Sequence, residues 1–277
     1  MDAANRHLIA IDLDDTVLAK LFSLNVDSVW ALKDAQDAGH VVMIATARPE
    51  CLALPYYRAL GLKSLLSLMN GSYMYHPDDK NAPVFEHVIS RNDVGAAVDL
   101  MQANGFKHLF LEDNNDVYTI DGKRPEHPYW RILFEGSNVH HVADLKGHKC
   151  ARIFGKAESE AAARLVKEQL DATGRLRVNV GQGLDGMWNT HIWSVTADKW
   201  YTVQEAAEYY GVNPENILCF GDEGNDRMMT LCAPHGFVMC NGNKAMIEDA
   251  RAHGRGVTTL PCDEGGVGYE VRRLLNL

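Results

Sequence analysis

The chain has 277 residues, 27 of them Lys or Arg and 37 Asp or Glu, for a formal net charge of −10. Its 46% hydrophobic and 23% charged residues exclude disorder, a collagen-like repeat and a coiled coil, and the length suits two domains or one large one. The acidic balance argues against nucleic acid or an anionic membrane surface as a partner, although it leaves room for a small anion in a local pocket.

No apolar stretch approaches the roughly 20 residues of a membrane span, and MDAANRHLIAIDLDD lacks the long apolar run of a leader. Six scattered cysteines with no C-x-x-C pair suit free thiols better than a disulfide framework or a zinc site. A cytoplasmic protein is expected.

The first apolar run, His7–Leu13, stops at acids and reads as a buried parallel strand. Asn25–Ala38 carries Val26, Val29, Trp30, Leu32 and Ala35 at helical spacing and ends at Gly39. A second run, Val41–Ala45, ends in Thr46-Ala-Arg-Pro49, which completes a βαβ unit. Tyr75–Ala82 is a polar, proline-containing link.

From about Pro83 to Asn189 the grammar changes. Strands are expected at Val84–Ile89, His108–Leu111, Asp116–Ile120, Ala151–Phe154, Arg177–Val180 and Met187–Trp193, with helices at Asp93–Asn104 and Ser159–Ala172. That order suggests an α+β insert with an antiparallel sheet. Thr202–Tyr210 then reads as a helix stopped by Gly211, Ile217–Phe220 and Gly236–Cys240 as strands, and Ala245–Ala252 as a helix. The fold class is therefore α/β: a doubly wound, mostly parallel Rossmann-like core, residues 1–82 and 190–277, with an inserted α+β domain at 83–189.

Asp12-Leu-Asp-Asp-Thr16 places three carboxylates within four positions at a strand end. They repel one another unless a cation or hydrogen bonds compensate, and a hard, oxygen-loving ion such as Mg²⁺ suits them. The same residues also suit a solvated strand end, or a helix N-cap built by Asp15 or Thr16. Gly221-Asp-Glu-Gly-Asn-Asp226 is a second acidic loop after a second apolar strand, readable alone as a Gly-rich turn before a capped helix. Two such clusters in one doubly wound sheet can converge on one ion at its carboxyl edge. Thr46 could hold a phosphate at a strand–helix junction or cap the helix. Lys199 stands ahead of a helix start, where the dipole disfavours a cation, or is simply exposed.

Asp12-Leu-Asp-Asp-Thr16, Thr46-Ala-Arg48, Lys199 and Gly221-Asp-Glu-Gly-Asn-Asp226 occur in the order of the four motifs of the haloacid dehalogenase-like phosphatases. The whole chain resembles their Cof-type branch, in which a large α/β cap is inserted between the second and third motifs. Met69-Asn-Gly71, Cys240-Asn-Gly-Asn243 and Asp263-Glu-Gly-Gly-Val267 add to the resemblance. It implies Asp12 as nucleophile and Asp14 as acid and base, with Thr46, Lys199 and Asn225 on the phosphate. It also implies Mg²⁺ on Asp12, the Asp14 carbonyl and Asp222, with Asp226 in support.

Asp15, Ala47 and Trp200 stand where Gly is common in the family, and none of them removes a catalytic group. The implied substrate is a small phosphorylated metabolite, a sugar phosphate first, for a monomer or homodimer. The insert holds Glu112-Asp-Asn-Asn115, His127, Trp130, Arg131, Trp188 and His191. Asp113–Asp116 is most simply a hairpin turn, and none of these residues is given a substrate role. A phosphomutase of related architecture and a catalytically silent binding module are the alternatives.

Overall fold

The computed structural model describes residues 5–19, 23–122 and 128–277, which leaves His127 outside. The chain divides into two compact units: Met1–Ala47, Ala53–Phe85 and Asp198–Leu277 form the first, Arg48–Leu52 and Glu86–Ala197 the second.

The first unit is built on a parallel sheet. Its strands lie in the order Gly256–Val257, His235–Val238, Ile217–Gly221, Leu8–Ile11, Val41–Ile44. Every residue of Leu8–Ile11 and Val41–Ile44 is buried, which accounts for their unbroken apolar sequence. Because Leu8–Ile11 pairs in parallel with both Ile217–Gly221 and Val41–Ile44, Asp12, Thr46 and Asp222 emerge at one edge. The helix Val26–Asp37 starts at Asn25, whose side chain accepts from Ser28 N–H, and terminates before Gly39.

The helix Lys199–Tyr210 begins three residues earlier than expected, with Asp198 as its cap. Helices not foreseen among the described residues include Glu50–Ala59, which contains Pro55, Gly266–Leu275 and, in the second unit, Pro128–Gly136. No helix among the described residues is long and apolar enough to cross a membrane.

The second unit carries a six-stranded sheet in the order Asn138–His141, Asp116–Thr119, Lys107–Asp113, Arg152–Ala157, Trp188–Ser194, Leu176–Gln182. It is antiparallel except for the edge pair Asn138–His141 with Asp116–Thr119. The helices Arg91–Ala103 and Glu160–Asp171 bury Val94, Val98, Met101, Val166 and Leu170 against Leu111, Ile153, Val178 and Ile192. A third helix, Pro128–Gly136, places Trp130 and Leu133 with Phe110, Val117 and Phe154.

This unit extends to Ala197 rather than Asn189, because Trp188–Ser194 is paired over its whole length with Leu176–Gln182. The segment expected as a strand over Val84–Ile89 is one only at Phe85–Glu86, with a single bridge from Ile89 to Cys150.

One buried charge pair stands out in the second unit. Arg152 Nε and Nη2 donate to Glu112 Oε1 and Oε2 at 2.8 and 2.6 Å, and the guanidinium lies 5.1 Å from the Trp130 ring centre. Glu112 is fully buried, and that burial raises its carboxyl above the ordinary range despite Arg152. Glu112→Leu alone would take the paired carboxylate away from the buried guanidinium and is expected to cost about 3–5 kcal/mol, whereas Glu112→Leu with Arg152→Met should lie near the wild type. Urea unfolding of the three proteins tests this, and a single-variant loss under about 1 kcal/mol would refute it.

Candidate active site

Asp12 is the first residue beyond the strand Leu8–Ile11, where its N–H donates to Phe220 O at 3.0 Å. Its side chain is buried and meets Lys199: Nζ donates to Asp12 Oδ1 at 2.6 Å and to Asp226 Oδ1 at 2.6 Å. Lys199 and Asp226 are fully buried. The other oxygen of Asp226 accepts the N–H groups of Asp222 (3.1 Å) and Glu223 (3.2 Å). A Cβ on Gly221 would lie 2.4 Å from the Asp226 Cβ, so the loop can fold back on itself only with glycine there.

Lys199 opens its helix, where the dipole opposes a cation; two carboxylates outweigh that. Its backbone is held tightly. Asp198 Oδ1 accepts from Trp200 N–H at 2.9 Å, Thr202 Oγ1 donates to Lys199 O at 2.9 Å, and Ser67 Oγ lies 2.7 Å from Thr202 Oγ1. Gly71, at φ 86°, would press any Cβ to 2.5 Å from Asp198 O. The Met69-Asn-Gly71 motif therefore makes room for the turn that delivers Lys199. The Trp200 ring packs against the core cluster that contains Val203 and Ala206.

One carboxylate oxygen from each of Asp12, Asp222 and Asp226 lies within 4.8 Å of the other two. Lys199 is bonded to two of these three acids, Asp12 and Asp226. Burial above all pushes the Asp12 carboxyl up to about 7, against the pull of Lys199, with Asp226 and Asp14 adding repulsion. Asp222 is pushed up to about 8 by burial first, then by Asp12 and Asp226. Burial works against the charge on Lys199, yet Asp12 and Asp226 together outweigh it and hold the amine above its ordinary value. Excess negative charge on hard oxygens is what a divalent cation such as Mg²⁺ neutralises. Asp226 has both oxygens engaged, so Asp12 and Asp222 are the acids fitted to hold the ion, and Asp226 fastens Lys199 and the loop.

The remaining expected residues fall into place differently. Asp14 is half-buried and makes a backbone bridge with Leu18, next to Asp15 at φ 51°; it is not one of the three clustered acids. Thr46 is fully buried, with its N–H on Ser67 O (3.0 Å) and its carbonyl accepting from Asn70 N–H (2.9 Å). It caps no helix, since the next one starts at Glu50. Asn225 is exposed and donates to Asn70 Oδ1 at 3.0 Å, outside the Lys199 network.

Two asparagines without an assigned role prove structural. Asn241 donates to Asp15 O (2.8 Å) and accepts from Cys262 N–H (2.8 Å). Asn243 N–H donates to Asp222 O at 2.9 Å, and its side chain donates to Glu223 Oε2. The Cys240-Asn-Gly-Asn243 motif had marked these positions without showing what they do, which is to brace both acidic loops from behind.

A family model described as haloacid dehalogenase-like hydrolase matches residues 9–270. The chain is 27% identical to a 5-amino-6-(5-phospho-D-ribitylamino)uracil phosphatase of Bacillus subtilis, covering 98% of each. It is 25% identical to a pyridoxal phosphate phosphatase of Escherichia coli, covering 86% of this chain and 89% of that one. Among solved structures, a sugar phosphatase of subclass IIB of the same superfamily superposes with a TM-score of 0.72 at 19% identity, covering 97% of this chain and 98% of that one.

Proposed function

The chain belongs to the haloacid dehalogenase-like hydrolases, and from that membership and its acidic sheet edge we propose that it is a phosphatase of small phosphorylated metabolites, working through a phosphoryl-aspartate on Asp12. The observation that carries this reading is the buried Asp12–Lys199–Asp226 network with Asp222 beside it. An anionic nucleophile must meet an anionic phosphate, and only a concentration of positive charge makes that possible.

Lys199 keeps Asp12 in one orientation through Oδ1 and carries the fixed cation. An Asp12 oxygen attacks phosphorus while the ester P–O bond breaks, and Asp14 gives its proton to the departing alcohol. Water then attacks the phosphorus of the acyl phosphate, losing its proton to Asp14, and phosphate leaves as Asp12 is regenerated. Splitting the hydrolysis in this way replaces one difficult step by two easier ones. Mg²⁺ held by Asp12, Asp222 and the Asp14 carbonyl would supply charge neutralisation. Thr46 and Asn225 complete the phosphate site, and Asp226 keeps Lys199 in line.

The substrate reading is a small phosphate monoester rather than a nucleic acid or a membrane component. Sugar phosphates fit the subclass of the structural neighbour. The two relatives are named for 5-amino-6-(5-phospho-D-ribitylamino)uracil and for pyridoxal phosphate, so both esters belong beside hexose phosphates in any substrate panel. Phosphate release should require Mg²⁺, stop with chelator and return on Mg²⁺ addition. Failure to release phosphate from every ester would overturn the assignment, and release that survives chelation would remove the metal from it.

A further inference from the structure

We propose that Asn70 is a positioning residue that ties Asn225 to the strand end carrying Thr46 and so sets the direction of the Asn225 amide. This rests on the reading that Asn225 contacts phosphate. Thr46, Asn70, Lys199 and Asn225 all lie in the first unit. The strands Leu66–Leu68 and Tyr73–Tyr75 pair antiparallel, and residues 69–72 are the turn that joins them. Met69 and Asn70 take φ 52° and 58°, two consecutive left-handed residues other than glycine, and Gly71 follows at φ 86°. Asn tolerates that conformation, whereas for a long side chain such as Met it is costly. The surroundings impose it: Met69 is buried, and Ser72 donates to Met69 O through its N–H at 3.2 Å and its Oγ at 2.9 Å. Backbone strain that persists in this way points to a task for the turn.

The task is visible in what the turn touches. Asn70 N–H donates to Thr46 O at 2.9 Å, and Thr46 N–H donates to Ser67 O at 3.0 Å just before the turn. Thr46 is thereby bonded to one hairpin through both of its backbone groups. On the other side, Asn70 Oδ1 accepts from Asn225 Nδ2 at 3.0 Å. Asn225 is exposed, and its amide nitrogen carries two N–H groups. The bond to Asn70 occupies one of them and fixes the direction of the other. Gly71 packs on the backbone of Asp198, the cap of the helix that Lys199 opens. One turn therefore meets the segments that carry Thr46, Asn225 and Lys199. Without the Asn70 side chain the Asn225 amide is free to rotate, and small misplacements of a binding group are costly.

The test uses the full chain with Mg²⁺ and inorganic phosphate as the probe. Asn70→Gly keeps the left-handed backbone and the N–H that Thr46 accepts, but deletes the acceptor for Asn225. It should weaken phosphate binding about 5-fold, the worth of one hydrogen bond, and raise KM for p-nitrophenyl phosphate alike, with kcat changing far less. Asn225→Ala should weaken binding at least as much. Asn70→Gly combined with Asn225→Ala should bind phosphate as Asn225→Ala alone does, because the first residue acts through the second. A merely structural role for Asn70 would instead add its loss to that of Asn225→Ala. Wild-type phosphate binding by Asn70→Gly would overturn the proposal, as would losses that add in the double variant. Asn225→Ala separates the two claims: if it leaves phosphate binding intact, the reading of Asn225 itself falls, whatever Asn70 does.

Discussion

Asp12→Asn is expected to leave a folded protein whose phosphate release is lower by at least about three orders of magnitude. An amide cannot form the acyl phosphate, so the two-step route closes. The substitution is nearly isosteric, and the oxygen of the introduced amide can still accept from Lys199, so the network need not collapse. Stability should even hold or improve. Burial pushes the Asp12 carboxyl up to about 7, which means the folded protein bears a penalty for its charge near neutral pH, and a neutral amide avoids it. Loss of turnover together with an unchanged or raised Tm would mark a residue kept for chemistry at the expense of stability. Release within about tenfold of the wild type would end the nucleophile assignment.

Much of this site was legible because a parallel sheet leaves few choices. Runs such as His7–Leu13 and Ile217–Phe220 can only be buried strands, and parallel pairing sends both polar ends to one edge, so Asp12 and Asp222 had to meet. What stayed hidden depends on contacts distant in sequence. Nothing near Asp226 says that its two oxygens divide between Lys199 and its own loop. Lys199 lies inside its helix rather than ahead of it, because Asp198, between Ala197 and Lys199, is the cap.

The helix Glu50–Ala59 was obscured by Pro49 and Pro55, and by a cap supplied from Asn114 and Asn115. Gly266 and Gly268 weaken the helical pattern of Gly266–Leu275, to which no element was assigned. In the second unit the strand Trp188–Ser194 matched its expected place, yet the boundary drawn at 189 cut through it, since pairing partners rather than composition decide where a unit ends.

Lys199→Met should destabilise the fold by more than the loss of its two hydrogen bonds, because it leaves Asp12 and Asp226 buried without their shared cation. Removing one partner of a buried charge group costs about 3–5 kcal/mol, since the remaining charges are neither solvated nor paired. The loss should depend on pH in a definite direction. Lys199 is held above its ordinary 10.5, so its contribution to stability is complete below that value and constant between pH 5 and 8. Asp12 behaves oppositely. Its carboxyl lies at about 7 rather than 3.8, so folding favours the neutral form, and ionisation costs stability as pH rises from 3.8 through 7. Without Lys199 that carboxyl moves higher still, and the cost of ionising it grows. The variant should therefore lie nearest the wild type at pH 5 and furthest from it at pH 8, when both are unfolded in urea without Mg²⁺. Equal losses at the two pH values would mean that the lysine contributes packing alone, and the electrostatic account of the acidic edge would have to be abandoned.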